Sequence, residues 1–187
     1  MIHLATADVS APHGPHEQHK AGRAAAAGAL RRAGGTSVEV GRRFDGAPVF
    51  PAGFVGSIAH TRRLAVAAVC PAEEARGIGV DLETDTVGEH LHRILLREEE
   101  REHLWTPADG PTLRALFVAK EAAFKAFSAC GERVVRTFWR VRLERPAPGT
   151  GDLLARAGDE RAWVRVRADG DGAWAVAVLL RPEQAHA

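Results

Sequence analysis

Apolar positions in the first half of the chain fall into blocks of helical and strand periodicity. Alanine-rich residues 17–33 predict a helix, because alanine has the highest helix propensity, and the glycine pair after them ends it. Short apolar runs separated by turn-forming residues then predict strands and loops. The predicted order is a strand at 38–40, a loop at 46–53, a hairpin of 55–60 with 64–69, and a strand at 77–83.

The second half repeats the order of helix followed by strands. Residues 97–105 predict a charged helix with a solvated face of acids and arginines, and residues 111–128 predict a longer helix with Pro111 in its first turn. Strands are predicted at 137–144, 161–167 and 173–180. We therefore predict an α+β protein of two pseudo-symmetric halves, residues 1–84 and 85–187, with the functional site in the cleft between them.

Composition adds a few exclusions to this prediction. The apolar fraction of 45% in 187 residues is that of a folded globular protein, and no apolar run approaches the roughly 20 residues of a membrane-spanning helix. The first residues lack the pattern of a signal peptide, so we expect a cytoplasmic protein. The two cysteines, Cys70 and Cys130, fit neither a disulfide framework nor a metal site. A formal net charge of only +1 argues against nucleic acid as a partner.

Lysine is rare in this chain, where arginine is the usual cation. Only Lys20, Lys120 and Lys125 are lysine among 25 basic residues, and the last two lie on one predicted helix. A compact, rotatable ammonium differs chemically from a planar guanidinium. The two helical lysines therefore indicate a site with a specific need for an ammonium, with chance as the alternative.

Two acids on the predicted strand 77–83 form a candidate metal site. Asp81 and Glu83 are two residues apart, so their side chains leave the same face of the strand. Neighbouring carboxylates repel each other unless a cation is present, and Mg²⁺ binds carboxylates while keeping positions for phosphate oxygens. The alternative is a strand end with two solvated acids.

Glu121 and Lys125 are four residues apart on the second predicted helix and share one face. Phe117 and Phe124 supply apolar surface beside them that can dock on the core. The alternative is an ordinary helix salt bridge, worth about 0.3–0.5 kcal/mol.

Other polar residues add candidates for phosphate binding. Ser57 and His60, near the end of a predicted strand, are suited to donate hydrogen bonds to a phosphoryl oxygen, although a lone histidine often has a structural role. His13, His16 and His19 are spaced by three, which indicates either a mobile arm that enters the first helix or, less well, a metal site.

Three segments resemble, in this order and spacing, the 4'-phosphopantetheinyl transferases of the surfactin and enterobactin type. Residues 21–26 and 46–53 add to the resemblance, which covers roughly residues 20–128, whereas the last third is similar only in its strand pattern. The three segments are Ser57-Ile58-Ala59-His60, Gly77-Ile78-Gly79-Val80-Asp81-Leu82-Glu83 and Phe117-Val118-Ala119-Lys120-Glu121-Ala122-Ala123-Phe124-Lys125.

The resemblance implies an enzyme that moves the phosphopantetheine arm of coenzyme A onto a serine of an acyl or peptidyl carrier protein and releases 3',5'-ADP. It implies Mg²⁺, with Mn²⁺ as an alternative ion, bound by Asp81, Glu83 and Glu121. The expected catalytic residues are Glu121, as base directly or through water, with Lys125 and His60. The expected coenzyme A-binding residues are Arg23, Arg43, Ser57, His60, Lys120 and Lys125.

Two departures from the resemblance keep a second interpretation open. Ala59 stands where relatives commonly have a hydroxyl, and histidines with Lys20 stand where relatives have a longer basic front end. A non-catalytic relative that binds coenzyme A or a carrier protein is therefore the alternative. Retention of all three acids and of both helical lysines favours a monomeric enzyme.

Overall fold

The computed structural model describes residues 1–105, 110–130, 137–146 and 152–179 of the chain. The first part contains one long helix and six strands, two of them only two residues long. In chain order these are β1 His3–Asp8, α1 Pro15–Arg32, β2 Gly41–Arg42, β3 Pro48–Val49, β4 Phe54–His60, β5 Leu64–Pro71 and β6 Gly77–Glu83.

The second part begins with short helices and ends in a run of strands. Single 3₁₀ turns at Glu89–Leu91 and Phe138–Arg140 precede α2 and β7 respectively. The elements are α2 His92–Leu95, α3 Glu98–His103, α4 Gly110–Ala129, β7 Arg142–Glu144, β8 Asp152–Ala157, β9 Glu160–Ala168 and β10 Ala173–Leu179. The prediction of an α+β protein is confirmed.

A first antiparallel sheet, in the order β1-β5-β4, packs one face against α1. Pro15 occupies the first turn of α1, and the Glu17 carboxylate accepts a hydrogen bond from the backbone N–H of Gly14, which satisfies one of the free donors at the helix start. Small side chains such as Ala26 and Ala67 fill this interface, so the helix lies close to the sheet.

A second antiparallel sheet, in the order β6-β10-β9-β8-β7, packs one face against α4. Its other face meets the first sheet through Ile78, Val80 and Val176, which join Ala68 and Cys70 in one buried cluster. The order of layers is thus α1, first sheet, second sheet, α4. The metal-site strand β6 is at the edge of the second sheet, beside the first one.

Glycines in β6 allow its backbone to touch α4. A Cβ atom on Gly79 would lie 1.8 Å from the carbonyl oxygen of Ala122, and one on Gly77 would lie 2.4 Å from that of Ala126. Because side chains alternate along a strand, Asp81 and Glu83 share the face of these two glycines. This close contact therefore directs the acidic end of β6 toward α4.

Several predicted elements are confirmed and others need correction. The first helix, the hairpin, the strand 77–83 and the long second helix are present. Residues 38–40 form no strand, and the predicted strand 137–144 begins with a 3₁₀ turn before β7. Strands β1 and β8 were not predicted. Instead of a mobile arm, the residues ahead of α1 include β1, which pairs with β5.

The hydrogen bonding of β6 bears on the division of the chain. β6 precedes residue 84, yet its partner β10 belongs to the last part of the chain. The ranges 1–84 and 85–187 stay a prediction. The helices that the structure describes include none with the length and apolar character to cross a membrane.

Candidate active site

The ion pair between Lys125 and Asp81 joins α4 to β6. The Lys125 ammonium donates hydrogen bonds to the Asp81 carboxylate (Nζ–Oδ1 2.6 Å) and to the carbonyl oxygen of Val80 (3.1 Å). Glu121 lies one helical turn before Lys125 on α4. The structure therefore brings two of the resembling segments, which are separated along the chain, to one place.

The two carboxyl groups of this cluster are poorly placed to carry charge. Burial raises the pKa of Asp81, which Lys125 lowers in part and Glu83 raises further. Burial also raises the pKa of Glu121, with a further contribution from the charge of Asp81 and opposition from Lys125. Two partly buried acids thus share a single ammonium, and an additional cation would stabilise both in their ionised form.

Glu83 faces other partners. Its Oε1 atom accepts hydrogen bonds from the backbone N–H groups of Thr84 (2.8 Å) and Asp85 (2.9 Å) at the end of β6. Across the described part of the chain, no three His, Cys, Asp or Glu side chains are grouped as metal ligands. The structure brings Asp81 and Glu121 together and leaves Glu83 hydrogen-bonded to the following turn.

A cleft of about 640 Å³ opens between α1, the β2–β3 turn and the end of β4. The ionisable side chains that line it are all basic: His16, His19, Arg23, Arg42 and His60. Burial and the charge of Arg42 lower the pKa of Arg23, which indicates how closely the cations are crowded. We call this the histidine cleft. It is suited to an anionic ligand.

A second cleft, of about 530 Å³, lies between β3, β4 and α4. Its polar lining includes Arg43, Ser57 and Lys125, and Arg43 also pairs with Asp45 (3.0 Å). Pro48 and Ile58 line both clefts, so the two adjoin and form one groove that runs from α1 to α4. All the predicted coenzyme A-binding residues except Lys120 line this groove.

Lys120 is the exception, and its predicted role in coenzyme A binding needs correction. Its side chain is 0% exposed and donates hydrogen bonds to the Glu100 carboxylate (Nζ–Oε2 2.5 Å) and to the carbonyl oxygen of Leu95 (3.0 Å). A buried ammonium with these partners cannot reach a ligand in the groove. The predicted solvated face of residues 97–105 is wrong at Glu100 for the same reason.

Helical spacing carried a signal for this burial. Lys120 follows Leu113 and Leu116 by seven and four residues and precedes Phe127 by seven, and all three are buried. His16, His19 and Arg42 were not predicted to bind the ligand, although the clustering of histidines near the start of α1 was visible in the sequence.

Comparison with known proteins agrees with this geometry. The model of the 4'-phosphopantetheinyl transferase N-terminal domain matches residues 16–70, and that of the 4'-phosphopantetheinyl transferase superfamily matches residues 77–179. The chain belongs to this superfamily. The match to the phosphopantetheinyl transferase superfamily begins at the first residue of β6 and therefore includes Asp81, Glu83, Glu121 and Lys125.

One phosphopantetheinyl transferase is similar over part of the chain. The 4'-phosphopantetheinyl transferase Npt of Nocardia iowensis is 39% identical over 101 residues, which are 53% of this chain and 46% of that protein. The chain thus spans about half the length of the curated relative it matches.

Proposed function

We propose that the protein transfers the 4'-phosphopantetheine group of coenzyme A to a serine of an acyl or peptidyl carrier protein. The observation that carries this proposal is the Asp81, Glu121 and Lys125 cluster, whose lysine lines a basic groove, in a chain that belongs to the phosphopantetheinyl transferase superfamily. We place this activity in the cytoplasm and assign it to a monomer, with neither membrane nor nucleic acid as a partner.

In the proposed reaction, the serine oxygen bonds to the phosphorus that carries the pantetheine arm. The bond between that phosphorus and the bridging oxygen breaks, and 3',5'-ADP leaves. The protein has little covalent chemistry to perform in such a transfer, so catalysis depends on positioning and on stabilising charge. The crowded cations of the groove are suited to both tasks.

The acids of the cluster fit a divalent ion. Carboxylate oxygens are the ligands that Mg²⁺ prefers, and the raised pKa values of Asp81 and Glu121 indicate that both lack sufficient positive charge nearby. We assign the binding of Mg²⁺, or of Mn²⁺, to Asp81, Glu83 and Glu121. When bound, such an ion neutralises charge on phosphate oxygens.

The remaining roles belong to side chains of the groove. Glu121 accepts the serine proton, directly or through water, because a carboxylate with a raised pKa is a stronger base near neutral pH. Lys125 holds a phosphate oxygen beside the acids, and His60 and Ser57 donate hydrogen bonds to the phosphates. Arg23 and Arg43 bind the nucleotide. Ala59 supplies no hydroxyl, so a contact there comes from the backbone.

Mass spectrometry of carrier proteins tests the proposal. Apo acyl and peptidyl carriers incubated with the protein, coenzyme A and Mg²⁺ should each gain the mass of one phosphopantetheine. The Asp81→Asn variant should give no gain, whereas Glu73→Gln, which removes an exposed acid outside the groove, should behave as wild type. Binding of coenzyme A without any mass gain would instead support the non-catalytic alternative.

A further inference from the structure

The wall of the histidine cleft consists of cations of which most titrate near neutral pH. His16 and His19 come from α1 and His60 from the end of β4, and the two permanent cations are Arg23 and Arg42. Arginine is the usual cation elsewhere in the chain, so three histidines in one cleft are a departure from its own habit.

Acidic side chains near the cleft are occupied elsewhere. Glu17 on α1 is turned back to the N–H of Gly14 (3.1 Å), and Asp45 in the β2–β3 turn pairs with Arg43 (3.0 Å). None of the described residues that line the cleft is acidic. An anionic ligand would therefore be the counter-charge for these cations.

The cations that face His19 keep it uncharged without a ligand. Burial lowers the pKa of His19, and the charges of Arg23, Arg42 and His16 lower it further. A bound anion would oppose those charges and favour the imidazolium form. Protonation of this histidine and anion binding are thus coupled, and each favours the other.

Coenzyme A offers one phosphate for each cleft. Its pyrophosphate must reach the reacting centre at Lys125, which lines the second cleft. The phosphate that remains is the monoester on the ribose 3' oxygen, away from the reacting bond. The histidine cleft adjoins the second cleft at Pro48 and Ile58, on the side away from α4, where that group would extend.

We propose that His16 and His19 bind the 3'-phosphate of coenzyme A as imidazolium ions, so that affinity for coenzyme A falls as the pH rises through neutrality. The inference rests on the proposed function, since it takes coenzyme A as the ligand. A histidine of ordinary pKa is roughly three-quarters protonated at about pH 6 and about 3% protonated at about pH 8. Affinity should therefore fall at least about tenfold over this interval.

The titration of the ligand itself acts in the opposite direction. A phosphate monoester has a second pKa of about 6, so it gains negative charge over the same interval, which strengthens its attraction to cations. A loss of affinity with rising pH would thus identify protein groups and not the phosphate as the cause.

Isothermal titration calorimetry without a carrier protein tests this inference apart from catalysis. The dissociation constants of coenzyme A and of 3'-dephospho-coenzyme A are measured at about pH 6 and about pH 8, at equal ionic strength and with Mg²⁺. We expect coenzyme A to bind at least about tenfold more weakly at the higher pH, and the dephospho form to change by less than about threefold.

Variants assign the effect to particular side chains. His16→Gln with His19→Gln should weaken coenzyme A binding at the lower pH and remove its pH dependence. His19→Lys should restore tight binding at the higher pH, because lysine keeps its charge there. His90→Gln, which changes an exposed histidine that lines neither cleft, is the matched control and should keep the wild-type dependence.

Each contrary outcome has a distinct meaning. Coenzyme A that binds equally well, or better, at the higher pH would overturn the inference and leave the proposed function standing. Equal pH dependence for the dephospho form would also overturn it, since the histidines would then act on another part of the ligand. Absence of coenzyme A binding at both pH values would contradict the proposed function together with the inference.

Discussion

Glu121 is a carboxylate whose charge costs stability and whose chemistry is needed. Its pKa is raised by burial and by Asp81, so in the metal-free protein the ionised form destabilises the folded state. Glu121→Gln should therefore raise the melting temperature of the metal-free protein while lowering turnover at least about 100-fold. Thermal unfolding in chelator and carrier loading followed by mass spectrometry measure the two effects.

The stabilisation by Glu121→Gln should depend on pH with a definite sign. A carboxyl group with a raised folded pKa costs nothing while it is protonated, and its cost grows as the pH rises through that pKa. The difference in melting temperature between the variant and wild type should thus be small in acid and larger near neutral pH. A variant that is less stable than wild type at neutral pH, or that loads carrier normally, would contradict this assignment.

Lys125 donates to both a backbone carbonyl and the Asp81 carboxylate, in the narrow space between α4 and β6. A guanidinium is wider and planar, so Lys125→Arg keeps the charge but displaces either Asp81 or a phosphate oxygen. Turnover should fall at least roughly tenfold, about 1.4 kcal/mol of transition-state stabilisation, with the fold unchanged.

The same substitution at an exposed position supplies the control for Lys125. Lys20→Arg changes a solvent-exposed lysine of α1 and should leave steady-state kinetics unaltered. Circular dichroism of both variants checks the fold. Full activity in the folded Lys125→Arg protein would show that this lysine is only a helix–strand ion pair, because arginine pairs with a carboxylate at least as well.

At the scale of elements, the buried ion pair of Lys120 and Glu100 fastens α3 and β7 to α4. The Glu100 carboxylate accepts hydrogen bonds from the backbone N–H groups of Arg97 and Leu143 (2.7 Å each), as well as from Lys120. The rings of Phe138 and Trp139 lie 5.3 and 5.8 Å from the Lys120 ammonium. These contacts fix the rotation of the helix that carries Glu121.

Loss of one partner from this pair should be costly. Lys120→Met leaves the Glu100 charge buried without its cation and should lower the free energy of unfolding by about 3 kcal/mol. Arg156→Met breaks the exposed pair with Glu144 on neighbouring strands and should cost less than about 1 kcal/mol. Urea denaturation compares them, and equal losses would show that burial does not determine the strength of the first pair.

Local patterns predicted the elements whose sequence preference agrees with their final state. Helix α1 has proline in its first turn and a long alanine run, and β4 and β5 are apolar runs around a short turn. β1 and β8 could not be predicted because both contain alanine and leucine, which do not favour strands. They are strands because β5 and β9 offer edges with which they pair.

Site prediction from the sequence succeeded where spacing determines direction. Two-residue spacing on β6 and four-residue spacing on α4 placed Asp81 and Lys125 on facing surfaces, and their contact is observed. Spacing could not show that Glu100 is the partner of Lys120, because that contact joins two helices. The backbone partners of Glu83 depend likewise on the turn that follows β6.

At the scale of the whole molecule, the β2–β3 turn presents an apolar side chain among arginines at the mouth of the groove. Phe44 is fully exposed beside Arg43, and Arg42 lines the histidine cleft next to it. Such a surface is suited to an acidic carrier protein with an apolar contact at its centre. We expect the Michaelis constant for the carrier to rise with ionic strength.

Phe44→Ser should raise the Michaelis constant for the carrier about fivefold, near 1 kcal/mol, and leave the dissociation constant of coenzyme A unchanged. Ile2→Ser, which alters an exposed apolar side chain outside the groove, is the control and should change neither constant. A carrier constant that stays flat between low and high salt, or that ignores Phe44, would contradict this docking surface.

The pairing of β6 with β10 has a consequence for the timing of synthesis. The strand that carries Asp81 and Glu83 leaves the ribosome early, but Ala173 and Ala175, which lie opposite these acids, emerge almost 100 residues later. A nascent or prematurely terminated chain that lacks β10 therefore has an unpaired acidic strand and no finished centre. Catalytic competence thus arrives late and all at once, and partial translation products should be inert toward coenzyme A and carriers alike.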